Sequence, residues 1–249
     1  MVNRRRRGIY LLPNLFTTAA LFAGFYSIVA AMNAKFEAAA VAIFVAMVLD
    51  GMDGRIARLT NTQSDFGVQY DSLSDMVSFG LAPALVIYQW SLSYAGKLGW
   101  LAAFIYAATT ALRLARFNTQ AASADKQYFQ GLPSPAAAAL IAGLIWCAES
   151  LDISEGSTLV FISFPVTVVA GILMVSNIRY HSFKQFDLHG RVPFIAGIVV
   201  VLIFAFIAIE PPLVLFIISL TYATSGPVYT LMLIRRRRLA RKQYEQQKE

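Results

Sequence analysis

The sequence predicts an all-α polytopic membrane protein of about eight transmembrane helices. Hydrophobic residues make up 57% of the 249, against 14% charged. Apolar stretches long enough to cross a bilayer recur from one end of the chain to the other. The basic residues gather between alternate stretches, as expected of a chain threaded repeatedly through a membrane. The net charge of +7 comes with arginine runs at both ends of a hydrophobic chain, a pattern that fits topology and anionic headgroups and argues against nucleic acid as a partner. The single cysteine, Cys147, lies in an apolar run, has no intrachain disulfide partner and reads as a small packing residue.

After a basic start at Arg4–Arg7, residues 8–13 are placed at the interface and 14–33 form the first span. Arginines followed by an apolar run resemble a secretory leader, but the run from Ile9 to Met32 is long and Pro13-Asn14 interrupts it, so a retained span is expected. A turn at Asn33-Ala34-Lys35 leads to a second span at 36–59, and the polar hinge at 60–64 to a third at 65–90. The fourth covers 97–117, a polar segment follows, and Gly-Leu-Pro-Ser-Pro at 131–135 opens a fifth that ends near 148. An acidic loop at 149–157 precedes the sixth span at 158–178. A polar loop then leads to the seventh at 192–209, and Glu210-Pro211-Pro212 turns the chain into the eighth at 213–234, ahead of a basic tail. His181 and His189 fall in the loop after the sixth span and read as solvated.

Eight spans put both termini on one side. All of the 21 Lys and Arg except Lys35 and Lys97 fall on that side, and Glu149, Asp152, Glu155 and Glu210 fall on the other. The positive-inside rule then places both termini in the cytoplasm, for an integral protein of the inner (cytoplasmic) membrane.

Four aspartates interrupt this apolar background: Asp50 and Asp53, three apart at the end of the second span, and Asp71 and Asp75, four apart in the third. On helices each pair shares a face, so two neighbouring helices can aim four carboxylates into one space. Ionised carboxylates that close repel one another, and hard divalent cations relieve the repulsion. The stretch has neither His nor Cys, which argues against zinc. The alternative is a set of helix-end aspartates serving as caps.

Gly54, Ala57 and Gly67 clear side-chain bulk beside the carboxylates, either for a ligand to approach the backbone or for close helix packing. Arg58 favours an anionic ligand, since a guanidinium suits phosphate oxygens. The site therefore opens to the compartment that supplies soluble nucleotides and amino acids.

The run Asp50-x-x-Asp53-Gly54-x-x-Ala57-Arg58, eight residues, then Gly67-x-x-x-Asp71-x-x-x-Asp75 resembles the full signature of the CDP-alcohol phosphatidyltransferase family. The resemblance implies one catalytic domain over 1–249: a basic interfacial segment (1–13), a six-span core (14–178), two added spans (192–234) and a basic cytoplasmic tail (235–249). It implies a phosphatidyl group passed from a CDP-lipid to an alcohol with release of CMP, two Mg²⁺ or Mn²⁺ ions, and a homodimer. It implies that Asp50, Asp53 and Asp71 ligate metal, and that Asp75 is both a shared ligand and the general base. Gly54, Ala57, Arg58 and Gly67 would line the donor nucleotide. Asn14 and Thr17 would join them, although Asn14 also reads as a helix cap.

Arg113 and Arg116 lie three apart at the cytoplasmic end of the fourth span, within Arg-Leu-Ala-Arg-Phe-Asn118. They read either as snorkelling to lipid phosphate or as an anion clamp for a lipid phosphate or an acceptor carboxylate. With Asn118 and the Ser134 of Gly-Leu-Pro-Ser-Pro, they are similar to the branch of the family whose donor is CDP-diacylglycerol and whose acceptor is L-serine. Glycerol 3-phosphate or inositol phosphate is the alternative acceptor. A metal or solute transporter is the rival from another class, set back by the clustering of the aspartates at one level and the lack of matching carboxylates in later spans.

Overall fold

The computed structural model describes residues 11–60, 62, 64–120, 128–153, 156–181, 201–202 and 205–246. The basic segment at 1–10, the loop at 182–191 with His189, and most of the seventh expected span lie outside the described residues. The chain is an all-α polytopic membrane protein. Its elements are α1 (Leu11–Met32), α2 (Phe36–Leu59), α3 (Asp65–Asp75), a π-turn (Met76–Leu81), α4 (Ala82–Trp90), α5 (Lys97–Gln120), α6 (Ser134–Ser150), α7 (Gly156–Val175) and α8 (Pro211–Gln246). Four stretches are long and apolar enough to span a bilayer without further argument: Leu12–Met32, Lys97–Thr119, Gly156–Val175 and Pro211–Leu233. The helix of residues 36–59 is as long but carries Asp50, Asp53, Arg55 and Arg58 near one end.

Small residues let these helices approach closely. The buried interior is rich in alanine, with Ala39, Ala40, Ala46, Ala82, Ala137, Ala138 and Ala142 all essentially inaccessible. Leucines and phenylalanines such as Phe22, Phe104, Leu112 and Phe161 stay exposed on the outside, where lipid replaces water. Gly24 of α1 marks the tightest approach to the third span: a Cβ there would lie 2.5 Å from Ser78 Oγ. Two serines one helical turn apart seal that contact by donating to α1 carbonyls, Ser74 to Thr17 and Ser78 to Ala20, each at 3.1 Å.

At the end opposite the aspartates, indole N–H groups meet carboxylates. Trp90 Nε1 donates to Glu149 at 2.7 Å and Trp146 Nε1 to Glu37 at 3.2 Å. Such pairs suit the water–lipid boundary, where one end of the ring is wet.

Two features depart from the expected run of plain helices. The third span is not one α-helix, because a π-turn separates α3 from α4. The polar segments after the fourth and sixth spans are not simple loops either. Tyr128–Gln130 (β1) and Arg179–His181 (β2) form a short antiparallel ribbon, with Phe129 opposite Tyr180. Two three-residue strands are below the length at which alternation can be recognised in a sequence.

Tyr180 of that ribbon secures the last helix. Pro227 inside α8 has no amide hydrogen, so the Ala223 carbonyl four residues earlier loses its ordinary helical donor. The buried Tyr180 hydroxyl donates to that carbonyl at 2.9 Å. Gly226 makes the room, since a Cβ there would lie 2.4 Å from the Tyr180 ring. Burial pushes the Tyr180 hydroxyl up to about 12, so it remains a donor throughout the physiological range. Tyr180→Phe should therefore cost about 1–2 kcal/mol, by orphaning a buried carbonyl. The check is the denaturation midpoint in detergent, where a value equal to the parent's would refute the account.

Candidate active site

The C-terminal half of α2 brings Asp50 and Asp53 to the same level as Asp71 and Asp75 of α3. One carboxylate oxygen from each of Asp50, Asp53 and Asp71 lies within 4.8 Å of the other two. Asp75 sits within hydrogen-bonding reach of Asp50, and its Oδ1 is buried with no hydrogen-bond partner. Asp53 is the most enclosed of the four, at 5% exposure. Oxygen donors gathered this tightly, without nitrogen or sulfur among them, fit a hard divalent cation. The acidic cluster can hold a metal ion, and its composition leaves the choice between Mg²⁺ and Mn²⁺ open.

Thr17 is buried against this cluster. Its hydroxyl lies 2.7 Å from Asp53 Oδ2 and 3.1 Å from the Pro13 carbonyl. With one proton to give, it fixes the orientation of the Asp53 carboxylate, so its side chain acts on that aspartate. Asn14, one turn before, is half-buried, with its Oδ1 3.8 Å from the place a Cβ on Gly67 would take. Ser64 caps α3 by accepting from the Gly67 amide at 3.1 Å. Gly54 faces open space, with nothing within 4 Å of where a Cβ would stand. Ala57 is half-buried, and the exposed Arg58 donates from Nε to the Gly54 carbonyl at 3.0 Å. A cleared backbone and a guanidinium thus share one rim of the aspartate cluster.

The two arginines of α5 go separate ways. Arg113 Nη1 donates to the fully buried Ser134 Oγ at 2.7 Å, and its Nε is buried with no hydrogen-bond partner. Asp75 is the charged group it faces, with the neutral Tyr106 and Tyr222 nearby. Arg116 instead grips Gln130 of β1 and, at 2.8 Å, Asn177 beyond α7. That contact ties the ribbon to the end of α7 and explains why a shared helix face does not give a shared partner. Asn118 Nδ2 donates to Ser72 Oγ at 2.9 Å and so holds α5 against α3.

Ser134 is placed by the Gly-Leu-Pro-Ser-Pro segment. Gly131 adopts φ +78°, and a Cβ there would lie 2.2 Å from the Met174 carbonyl, so only glycine fits. The Gly131 and Leu132 amides donate to the Ile178 and Leu173 carbonyls at 2.8 and 2.9 Å, seating the start of α6 against the end of α7. Sequence reasoning did not single out Ser72, Ser74, Ser78 or Tyr106 around this site. The serine spacing opposite Gly24 was the available signal for two of them.

Membrane-spanning helices with an acidic, all-oxygen cluster able to hold a cation, and an arginine beside it, define an integral membrane protein suited to a phosphate-bearing ligand. The chain belongs to the CDP-alcohol phosphatidyltransferase family, whose sequence profile matches residues 10–177. It is 42% identical over 178 residues to the CDP-diacylglycerol–serine O-phosphatidyltransferase of Helicobacter pylori, a match covering 71% of this chain and 74% of that one. The enzyme of the same name from Mycobacterium leprae is 34% identical over 234 residues, covering 90% of this chain and 76% of that one. The Mycobacterium bovis enzyme of that name is 41% identical over 185 residues, 70% of this chain and 63% of its own. The chain is accordingly a transferase of phospholipid biosynthesis.

Proposed function

We propose that the protein transfers the phosphatidyl group of CDP-diacylglycerol to the hydroxyl of L-serine, giving phosphatidylserine and CMP. The observation that carries this reading is the four-carboxylate cluster with Arg113 and Ser134 beside it. The names of the three relatives point to the same acceptor.

Asp50, Asp53, Asp71 and Asp75 would hold one or two divalent ions, which when bound neutralise charge on the pyrophosphate. Gly54 leaves space for the nucleotide, with Ala57, Gly67 and Asn14 lining its edge, and Arg58 offers its guanidinium to phosphate. Thr17 keeps Asp53 aligned. The Arg113 guanidinium receives the serine carboxylate, with Ser134 keeping it in place, and Arg116 and Asn118 hold the wall behind it. Asp75 takes the proton from the serine hydroxyl as that oxygen bonds to the lipid-side phosphorus. The bond from phosphorus to the CMP oxygen breaks, and the electron pair leaves with CMP.

The site is read as facing the cytoplasm in an inner membrane. Arg55, Arg58, Arg113, Arg116, Arg235 and Arg236 on the aspartate side, and Glu37, Glu149 and Glu210 on the other, support this through the positive-inside rule. A homodimer belongs to the same reading, on the strength of the family resemblance.

The test is CMP release from CDP-diacylglycerol by purified protein across three acceptors. L-serine should be turned over well above glycerol 3-phosphate and inositol phosphate, and chelation should abolish release until Mg²⁺ or Mn²⁺ is restored. Equal turnover with glycerol 3-phosphate would reject serine as the acceptor, and full activity in chelator would reject the metal site.

A further inference from the structure

The π-turn lies directly between the segment that carries Asp71 and Asp75 and the part of the third span anchored in the core. α4 is fixed below it, with Ala82, Ala84, Val86 and Ile87 all buried. A π-turn closes i to i+5 and so accommodates one more residue than an α-turn. Here the Ala82 amide reaches back to the Val77 carbonyl in that pattern. Each residue advances an α-helix by about 100° and 1.5 Å. Whether this turn is π or α therefore decides which way α3 faces relative to α4, and with it where Asp71 and Asp75 point.

Pro83 accounts for the local weakness. It has no amide hydrogen, so the Phe79 carbonyl four residues earlier loses its α-helical donor in the middle of the turn. Phe79 is fully buried, and water does not replace that donor. The hydroxyl of Tyr106, itself fully buried on α5, donates to the Phe79 carbonyl at 3.0 Å. Thr110, the next residue along that face, bonds back to the Tyr106 carbonyl at 2.9 Å. Its methyl would lie 3.1 Å from a Cβ on Gly80, so α5 fits closely against the turn. On the other flank Ser78 Oγ donates to the Ala20 carbonyl of α1. The turn is thus gripped from both sides, and only the grip from α5 falls on the carbonyl that proline exposes.

We propose that Tyr106 is a positioning residue. Its hydroxyl, bound to the Phe79 carbonyl that Pro83 deprives of a helical donor, holds the π-turn that aims Asp71 and Asp75 at Asp50 and Asp53. The proposal rests on reading those aspartates as the metal site. Tyr180, which fills the equivalent vacancy opposite Pro227, supplies an internal control: the same chemistry in a ribbon that contributes none of the four aspartates.

The experiment is a direct Mn²⁺ titration of the full chain in detergent, followed by electron paramagnetic resonance and without substrate. Tyr106→Phe removes only the hydroxyl and should weaken Mn²⁺ binding about 10- to 100-fold, the range for groups that orient metal ligands. Tyr180→Phe should lose stability but bind Mn²⁺ as the parent does. Pro83→Ala gives the Phe79 carbonyl an amide donor and lets the turn close as α. It should fold at least as stably as the parent and still lose Mn²⁺ affinity, a combination that a purely structural role does not produce. Parent-like Mn²⁺ affinity in either Tyr106→Phe or Pro83→Ala overturns the proposal. A parent protein that binds no Mn²⁺ overturns it together with the metal site, which separates the two failures.

Discussion

Asp75→Asn should reduce CMP release by about 10²- to 10⁴-fold, the range attributable to a positioned general base, while CDP-diacylglycerol still binds. Asparagine keeps the size of the side chain and one carbonyl oxygen, but it has no carboxylate to receive the serine proton. The position is suited to that role because Asp75 Oδ1 is buried with no hydrogen-bond partner, and because the carboxylate lies next to Asp50 on one side and senses Arg113 on the other. Donor binding should survive, since Asp50, Asp53 and Asp71 still offer three oxygens within 4.8 Å of one another. Single-turnover CMP release, alongside equilibrium binding of the donor, separates the two effects. Activity within a few-fold of the parent would remove Asp75 as the base.

Arg113→Lys should raise the KM for serine by about 10- to 100-fold and leave the KM for CDP-diacylglycerol nearly unchanged. Lysine keeps the charge but loses the planar fork that addresses a carboxylate with two parallel N–H groups. It also cannot hold Ser134 in the 2.7 Å contact and present a second donor in the same plane. Losing one charge-assisted pair in a dry site corresponds to about 1.5–3 kcal/mol, which is roughly 10- to 100-fold in an equilibrium constant. A rise in the donor KM with the serine KM unmoved would assign Arg113 to lipid phosphate instead. Initial rates with each substrate varied at saturating levels of the other decide between them.

The aspartate site was legible because helical spacing alone places i, i+3 and i+4 carboxylates on one face, and the third span needed only to lie beside the second. The turn that makes the two faces meet was not legible. Tyr106 stands in an apolar run where a buried hydroxyl looks like any packing aromatic, and its partner is a backbone carbonyl 27 positions away in the chain. Pro83 was the visible clue, since a proline inside a span always leaves a carbonyl four residues earlier in want of a donor. Arg113 and Arg116 show the opposite limit. Spacing put them on one face, but their partners lie on a ribbon and a helix start that only the tertiary fold brings near. Some helix starts were readable because caps and prolines mark them. Ser64 before α3 and Pro133 before α6 are examples.

The bond between Tyr180 and the Ala223 carbonyl also bears on how the chain is made. The family profile ends at residue 177, while both partners of this bond lie beyond it. α8 is made after β2, so until it docks the Tyr180 hydroxyl lacks its acceptor, although β2 can already pair with β1. The ribbon is therefore fully seated only after α8 enters the bilayer. A chain cut between β2 and α8 should keep Tyr180 but lose its acceptor, and so melt earlier in detergent than the full chain.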